Sequence, residues 1–364
     1  MKWVSKDRLK RAFLHRLGKR PTRDSKNWKP RHRVSQGLEI GHGAEFKWPI
    51  APRPVGCAAW LRLAFDLWLV VYVSLASARE VPITILHTTD LHGRLDNPLP
   101  ERPSDLPEAG LLRVATLIHT VRQETPHVLL VDCGDTIQGT PDSFADRGYG
   151  ILAAMERLRY DAWVPGNHEF DYGFTVFRER HDQTAIPILA ANLTTQPGDP
   201  DPLPRRRSYR ICEVEGVRIA LIGLTTPGTP NWLPPEKLGP LVFTPSREAL
   251  EKTLQQVRAE QADLLVLLAH QGLRPEDDFA NEIRTIARTF PELHLILGGH
   301  THQAVAGQEI NGILYAQAGY HGHFLGRVDI VFDTATRSVV RREARLIPVT
   351  PDVPEDPELA KVFR

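Results

Sequence analysis

Ile83-Thr84-Ile85-Leu86-His87-Thr88-Thr89-Asp90-Leu91-His92-Gly93 is the stretch on which the fold turns. Its first six residues are largely apolar or β-branched and read as a strand, which stops abruptly at the polar Asp90-Leu91-His92. The same pairing of strand and polar end recurs along the chain. Residues 128–131 precede Gly134-Asp135, and 162–164 precede Gly166-Asn167-His168-Glu169. Residues 264–268 run into His270, and 293–297 into Gly299-His300-Thr301-His302. In an open α/β sheet the carboxyl ends of the strands line one edge, and ligands bind there. Five strand ends thus deliver their polar groups to a single crevice.

Outward from these segments, 186–190 and 219–223 complete the strand candidates. Stretches with helical apolar spacing, 111–122, 143–158, 247–262 and 281–289, separate them. Alternation of this kind defines an α/β protein. The last part, 313–316, 325–332 and 339–347, reads instead as consecutive antiparallel strands, so a mixed architecture with two sheets is expected. The Pro-rich 197–204 followed by Arg205-Arg206-Arg207 reads as a polar loop or inter-lobe connection, and no internal repeat is evident.

The clustered polar residues mix carboxylate, imidazole and amide, with no thiolate. That donor set suits divalent zinc, manganese or iron better than a soft metal or a cluster. Glycine beside Asp135, Asn167 and His300 is expected to allow the tight turn that aims the next side chain inward. One loop histidine is usually a solvated surface residue, but five such ends in register are not explained that way.

The ordered set Asp90-x-His92, Gly134-Asp135-x-x-x-Gly139, Gly166-Asn167-His168-Glu169, His270 and Gly299-His300-x-His302 resembles the motif series of the calcineurin-like metallophosphoesterases. The fuller text Leu86-His87-Thr88-Thr89-Asp90-Leu91-His92-Gly93, with Gly166-Asn167-His168-Glu169-Phe170-Asp171-Tyr172-Gly173, is similar to the exported 5′-nucleotidase family. The resemblance spans about residues 81–350 and implies a two-sheet β-sandwich flanked by helices, in four layers. It implies two divalent metal ions, one held by Asp90, His92, Asp135 and His302. The other would be held by Asp135, Asn167, His270 and His300, with Asp135 shared. Two cations about 3.5–4 Å apart need a common anionic ligand to offset their repulsion, and they activate a water while clamping a phosphoryl oxygen.

By the same resemblance His168 binds no metal but stabilises the phosphoryl charge and protonates the leaving oxygen, with Asp171 orienting it. Asp171 also reads as the N-cap of a helix over 172–178. His87, His119, His127, His181 and His294 read as packed or solvated. Tyr320-His321-Gly322-His323 borders the crevice if its loop follows a strand at 313–316. Glu169 reads as a support for its turn, and Asn192 as a turn residue or a distant contact. No substrate-binding residue is assignable.

With 41% hydrophobic and 24% charged residues in 364, wholesale disorder is excluded. The net charge of +1 conceals an asymmetry: residues 1–58 carry 15 Lys and Arg against 4 Asp and Glu, so the remainder is acidic. The expected organisation is a basic, unfolded extension over 1–58 and a signal peptide or signal anchor over 59–78. A catalytic domain over 79–350 and a tail or linker start over 351–364 follow. Ala76-Ser77-Ala78 has the small-x-small form of a cleavage site. Residues before about 55 are expected to precede the native start. Cys57, Cys133 and Cys212 form no disulfide framework, and the last two read as buried structural thiols.

These readings make the chain an exported phosphoester hydrolase, periplasmic or extracellular, with a small phosphoester, most simply a nucleotide, as its partner. No stable nucleic-acid partner is expected, and membrane contact follows only if the apolar segment stays uncleaved. Relatives of this kind continue into a domain whose aromatics sandwich the base. This sequence ends soon after Pro357-Glu358-Leu359-Ala360. Cyclic-nucleotide or UDP-sugar phosphodiesterase activity, thiosulfohydrolase chemistry and a non-catalytic metal-binding module are the competing readings.

Overall fold

The computed structural model describes residues 79–96 and 109–363. The basic extension, the apolar segment and Cys57 lie outside the described residues. Two sheets carry the fold. The first runs β13-β12-β1-β2-β3, built from β1 (Glu80–Thr88), β2 (Val128–Asp132), β3 (Ala162–Trp163), β12 (Phe324–Asp333) and β13 (Ser338–Pro348). The second runs β10-β11-β9-β8-β6-β5, from β5 (Tyr209–Val214), β6 (Val217–Leu224), β8 (Leu264–Ala269), β9 (Leu295–Gly298), β10 (Ala304–Ile310) and β11 (Ile313–Ala318). A small ribbon pairs β4 (Leu193–Thr195) with β7 (Leu241–Phe243).

Alternation along each strand decides the layering. From β1 the side chains of Val81, Ile83 and Ile85 join Ile219, Leu221, Val266 and Leu297 of the other sheet in one buried cluster, the seam of a sandwich. The opposite faces are covered as well. Leu86 and Leu130 pack beneath α1 (Leu111–Glu124), α3 (Tyr149–Arg157) and α4 (Phe174–Gln183). Ile222, Leu267 and Ile296 pack beneath α6 (Ser246–Ala259) and α7 (Ile283–Thr289). This gives a four-layer, mixed α/β architecture. Because both of its faces are covered, β8 is an unbroken apolar run, Leu264–Ala269, buried at every position.

Helix α1 forms because Leu111, Val114, Ala115, Ile118 and Val121 fall on one buried stripe. At the end of the chain, α8 (Pro357–Phe363) folds back with Leu359 buried, and Asp356 N–H donates to Leu112 O at 2.8 Å. None of the described helices is long and apolar enough to cross a membrane.

Several local expectations need correction. Residues 186–190 make only single bridges, Trp163 to Ile188 and Leu189 to Arg207, since Pro187 removes a donor. The helix expected over 143–158 breaks into α2 (Pro141–Asp146) and α3, with Arg147 and Gly148 both at positive φ, 54° and 76°. The strand at 313–316 does not pair with its successor. It lies in the second sheet, parallel to β9 and antiparallel to β10, while β12 crosses to lie antiparallel to β1. The exposed edge strand β10 has no apolar period to announce it, being buried only at Ile310.

Candidate metal centre

The parallel strands β1, β2 and β3 of one sheet and β6, β8 and β9 of the other end on a common edge, and the candidate residues follow those ends. Two groups assemble there. Asp90, His92 and His302 place ligand atoms within 4.8 Å of one another, and so do Asp135, His270 and His300. The groups interlock. His300 N–H donates to both carboxylate oxygens of Asp90 at 3.2 and 3.1 Å, His92 N–H to Asp135 O at 2.9 Å, and Asp90 N–H to Gly134 O at 2.7 Å.

The backbone is unusual at these positions. Asp90, His92, Asp135, His300 and His302 all have positive φ, between 50° and 70°. Non-glycine residues enter this region in only a few per cent of cases, and clusters of them mark functional sites. Of the neighbouring glycines, Gly134 has the positive φ of a tight turn, 95°, as expected, but the other two serve a different need. Gly166 and Gly299 do not have positive φ. Close approach requires them, since a Cβ would lie 2.3 Å from Asp135 Oδ1 at Gly166 and 2.5 Å from Thr89 Oγ1 at Gly299.

Polar atoms converge at the site, some of them without partners. His92 turns Nδ1 toward Gln138 O at 3.1 Å, leaving Nε2 only 3.0 Å from His302 Nε2. His270 donates from Nδ1 to Cys133 O at 2.7 Å, which aims Nε2 at the site. That Nε2 lies 3.1 Å from Asp135 Oδ2 yet makes no hydrogen bond, and Asn167 Oδ1 is buried and equally unpartnered. Buried polar atoms are normally satisfied. Imidazole nitrogens, carboxylates and an amide oxygen left open at one place fit divalent cations.

Protonation divides these histidines. Burial lowers His92, and burial together with the His270 charge takes His300 down to about 4, so both present lone pairs at neutral pH. Burial opposes charge on His270 too, but the Asp135 carboxylate outweighs it and lifts His270 to about 10. Asp135 is held well below the usual carboxylate range, where burial is overcome by His270, His168 and His92.

His168 and Asp171 lie beside these groups. His168 Nδ1 is 2.7 Å from Asp171 Oδ2, its ring centre is 5.2 Å from that of His92, and its N–H donates to Asp135 Oδ1 at 2.8 Å. Burial alone would lower His168, but Asp171 and Asp135 raise it to about 9. Asp171 is not the N-cap of the helix that follows. Helix α4 starts at Phe174 with Gly173 before it and no side-chain cap.

Glu169 supports its own turn, as the sequence suggests, and reaches further than that. Glu169, fully buried, accepts from Asp135 N, Thr136 N, Ile137 N and Gly166 N at 2.9, 2.7, 3.1 and 2.5 Å, binding two ligand-bearing loops together. Asp132 takes the hydroxyls of Thr88 and Thr136, each at 2.6 Å, and Gly134 N–H at 2.9 Å. Burial raises it to about 7. As the last residue of an apolar strand, Asp132 carried no signal beyond its own charge. Asn192 pins the loop after β6, donating to Thr225 O and accepting from Thr225 N. His321 reaches the site, its ring 5.6 Å from His92 and its N–H on Asp90 O at 2.8 Å. His119 and His127 make outer contacts with Asp356 and Glu215 instead. His87 is buried without a partner and is pushed down to about 3. Cys133 and Cys212 are buried free thiols.

The sandwich brings two such groups of candidate metal ligands to one edge. The chain belongs to the calcineurin-like phosphoesterase family, whose profile matches residues 83–304. Among curated proteins it is 28% identical over 319 residues to the Bacillus subtilis trifunctional nucleotide phosphoesterase protein YfkN, covering 76% of this chain and 20% of that one. It is 28% identical over 312 residues to the 5′-nucleotidase of Bos taurus, covering 78% of this chain and 52% of the relative. The solved structure of the calcineurin-like phosphoesterase YfkN from Bacillus subtilis superposes with a TM-score of 0.70 at 26% identity, over 78% of this chain and 96% of that chain. The chain thus spans only about a fifth to a half of these curated relatives.

Proposed function

We propose that the protein is an exported, dinuclear-metal phosphoester hydrolase of the 5′-nucleotidase type, acting on nucleotides or related small phosphoesters. The observation that carries this is the meeting of the two ligand groups with the His168 and Asp171 pair beside them. Asp90, His92, Asp135 and His302 would hold one ion, and Asp135, Asn167, His270 and His300 the other, with Asp135 shared. Bound zinc, manganese or iron supplies Lewis acidity toward the phosphoryl oxygens and a more acidic water.

This chain's own residues do the rest. Asp171 occupies Nδ1 of His168 and leaves Nε2 as the atom that carries the mobile proton. With its pKa at about 9, His168 is an imidazolium at neutral pH. It can offset phosphoryl charge and then protonate the departing oxygen. The bond from its N–H to Asp135 Oδ1 keeps the acid in fixed register with the shared ligand.

A broader range, including cyclic-nucleotide or UDP-sugar diesters, is the second reading, supported by the similarity to a protein named as a trifunctional nucleotide phosphoesterase. Steady-state assays with 5′-AMP, a 2′,3′-cyclic nucleotide, a UDP-sugar and bis-p-nitrophenyl phosphate, alongside elemental analysis, test both. A preference for 5′-AMP supports the nucleotidase reading, and preference for any diester overturns it. A metal-loaded protein inert toward all four would leave a non-catalytic module. Export is supported by the apolar 59–78 segment and Ala76-Ser77-Ala78. Recovery of cell-associated protein with residues 1–78 intact on the cytoplasmic side would refute it.

A further inference from the structure

Two large aromatic side chains stand exposed at the rim of the second ligand group. Trp232 is 43% exposed and Phe279 is 59% exposed, although tryptophan is highly buried on average in folded proteins. Scattered exposed apolar residues need no explanation, but these two pack on each other, with ring centres 5.5 Å apart. Trp232 in turn lies 5.2 Å from His300, at an interplanar angle of 35°, and His300 lies 5.2 Å from His270. A row of rings therefore leads from the candidate metal ligands out to solvent.

The row is built into the fold. Trp232 follows the short turn Thr229–Asn231 in the loop after β6, and Phe279 lies in the loop after β8. Strands β6 and β8 are parallel neighbours, so both loops leave the same edge. Thr226 Oγ1 donates to Ala280 O at 2.9 Å and ties the loops together. Asp278 Oδ1 accepts from Ala280 N at 2.9 Å and from Asn281 N at 2.8 Å, while Asn281 Oδ1 accepts from Gly272 N at 2.8 Å. Gly228 makes room for the pair: a Cβ there would lie 2.8 Å from Ala280 Cβ, 3.0 Å from Trp232 Cη2 and 3.1 Å from Phe279 Cε2.

We infer that Trp232 and Phe279 form a stacking platform, carried by the catalytic domain itself, for the nucleobase of a phosphoester held at the adjoining metal centre. This rests on the phosphoester-hydrolase reading and names its substrate class more closely. Rigid exposed π-faces suit a flat base, which loses little freedom when it stacks. Base-on-aromatic stacking is worth about 1–3 kcal/mol, equivalent to about 5- to 150-fold in affinity.

The test compares wild type, Phe279→Ala, Trp232→Ala and the ring-retaining Trp232→Phe. One readout is the ratio of kcat/KM for 5′-AMP to kcat/KM for ribose 5-phosphate, which lacks the base. The other is calorimetric binding of adenosine, which lacks the phosphate and reports on the platform without turnover. The platform requires a wild-type ratio above unity that falls about 5-fold or more in each alanine variant and is largely retained in Trp232→Phe, with adenosine binding weakened in parallel. Hydrolysis of both substrates with an unchanged ratio and unaltered adenosine binding would overturn the platform and leave the hydrolase reading intact. Absence of any phosphoester turnover would overturn the hydrolase reading, and adenosine binding would then decide the platform alone.

Discussion

Glu169→Gln should damage the metal centre without touching a ligand. In the native structure Oε1 accepts from Thr136 N and Ile137 N, and Oε2 from Asp135 N and Gly166 N. Burial and the Asp135 charge push this carboxyl up to about 7, and the N–H donors pull against that rise because only the anion accepts all four bonds. A glutamine keeps one acceptor oxygen and turns an NH2 toward the other two donors. Two buried N–H groups lose their partners at about 1–3 kcal/mol each, so the expected loss is about 4 kcal/mol. Against a typical total of about 5–15 kcal/mol this is large.

The loops freed are those carrying Asp135 and Asn167. Loss of outer support of this kind costs about 10–100-fold in metal affinity. Urea denaturation in chelator isolates the stability term, and manganese titration of the folded variant measures the affinity term. A variant within about 1 kcal/mol of wild type that binds manganese equally well would refute the reasoning, since four short bonds would then hold nothing in place.

Four further expectations use the same geometry. His168→Ala should lower turnover about 10²–10⁴-fold while elemental analysis finds the metal content unchanged; wild-type turnover removes His168 from the mechanism. In Asp171→Asn the alkaline limb of the kcat profile should move from near 9 toward the ordinary histidine value. In the proposed mechanism the imidazolium is the active form and is lost as pH rises, and Asp171 is the chief group raising it against burial. An unmoved limb, checked by pH profiles of both proteins, separates Asp171 from that proton. Gly166→Ala should reduce metal loading, because its Cβ would collide with Asp135 Oδ1 at 2.3 Å. Adding manganese at about 100 times its Kd should stabilise the wild type by about 2.7 kcal/mol, and a denaturation midpoint insensitive to metal would contradict the ligand assignment.

The sequence by itself determined which residues are candidates for the site. Residues such as Asp90, Asp135, Asn167 and His300 stand immediately after apolar strand runs, and strands buried on both faces are legible without coordinates. Where parallel strands share a sheet, their ends share an edge, but the meeting of Asp90 and Asp135 from one sheet with His302, His270 and His300 from the other was decided by how the two sheets pack. An element with neither an apolar run nor an apolar period, such as β10, was not legible, and the apolar run 186–190 was read as a strand where the structure makes only bridges.

Only the tertiary structure decided which sheet the strand at 313–318 joins, because apolar content fixes burial but not the partner. It also decided the support of the site. Glu169 reaches Asp135, Asp132 reaches Thr88, and Trp232 packs on Phe279, each across segments far apart in sequence. Hydrogen bonds and ring contacts of that kind depend on the positions of atoms brought together by folding. No spacing along the chain encodes them.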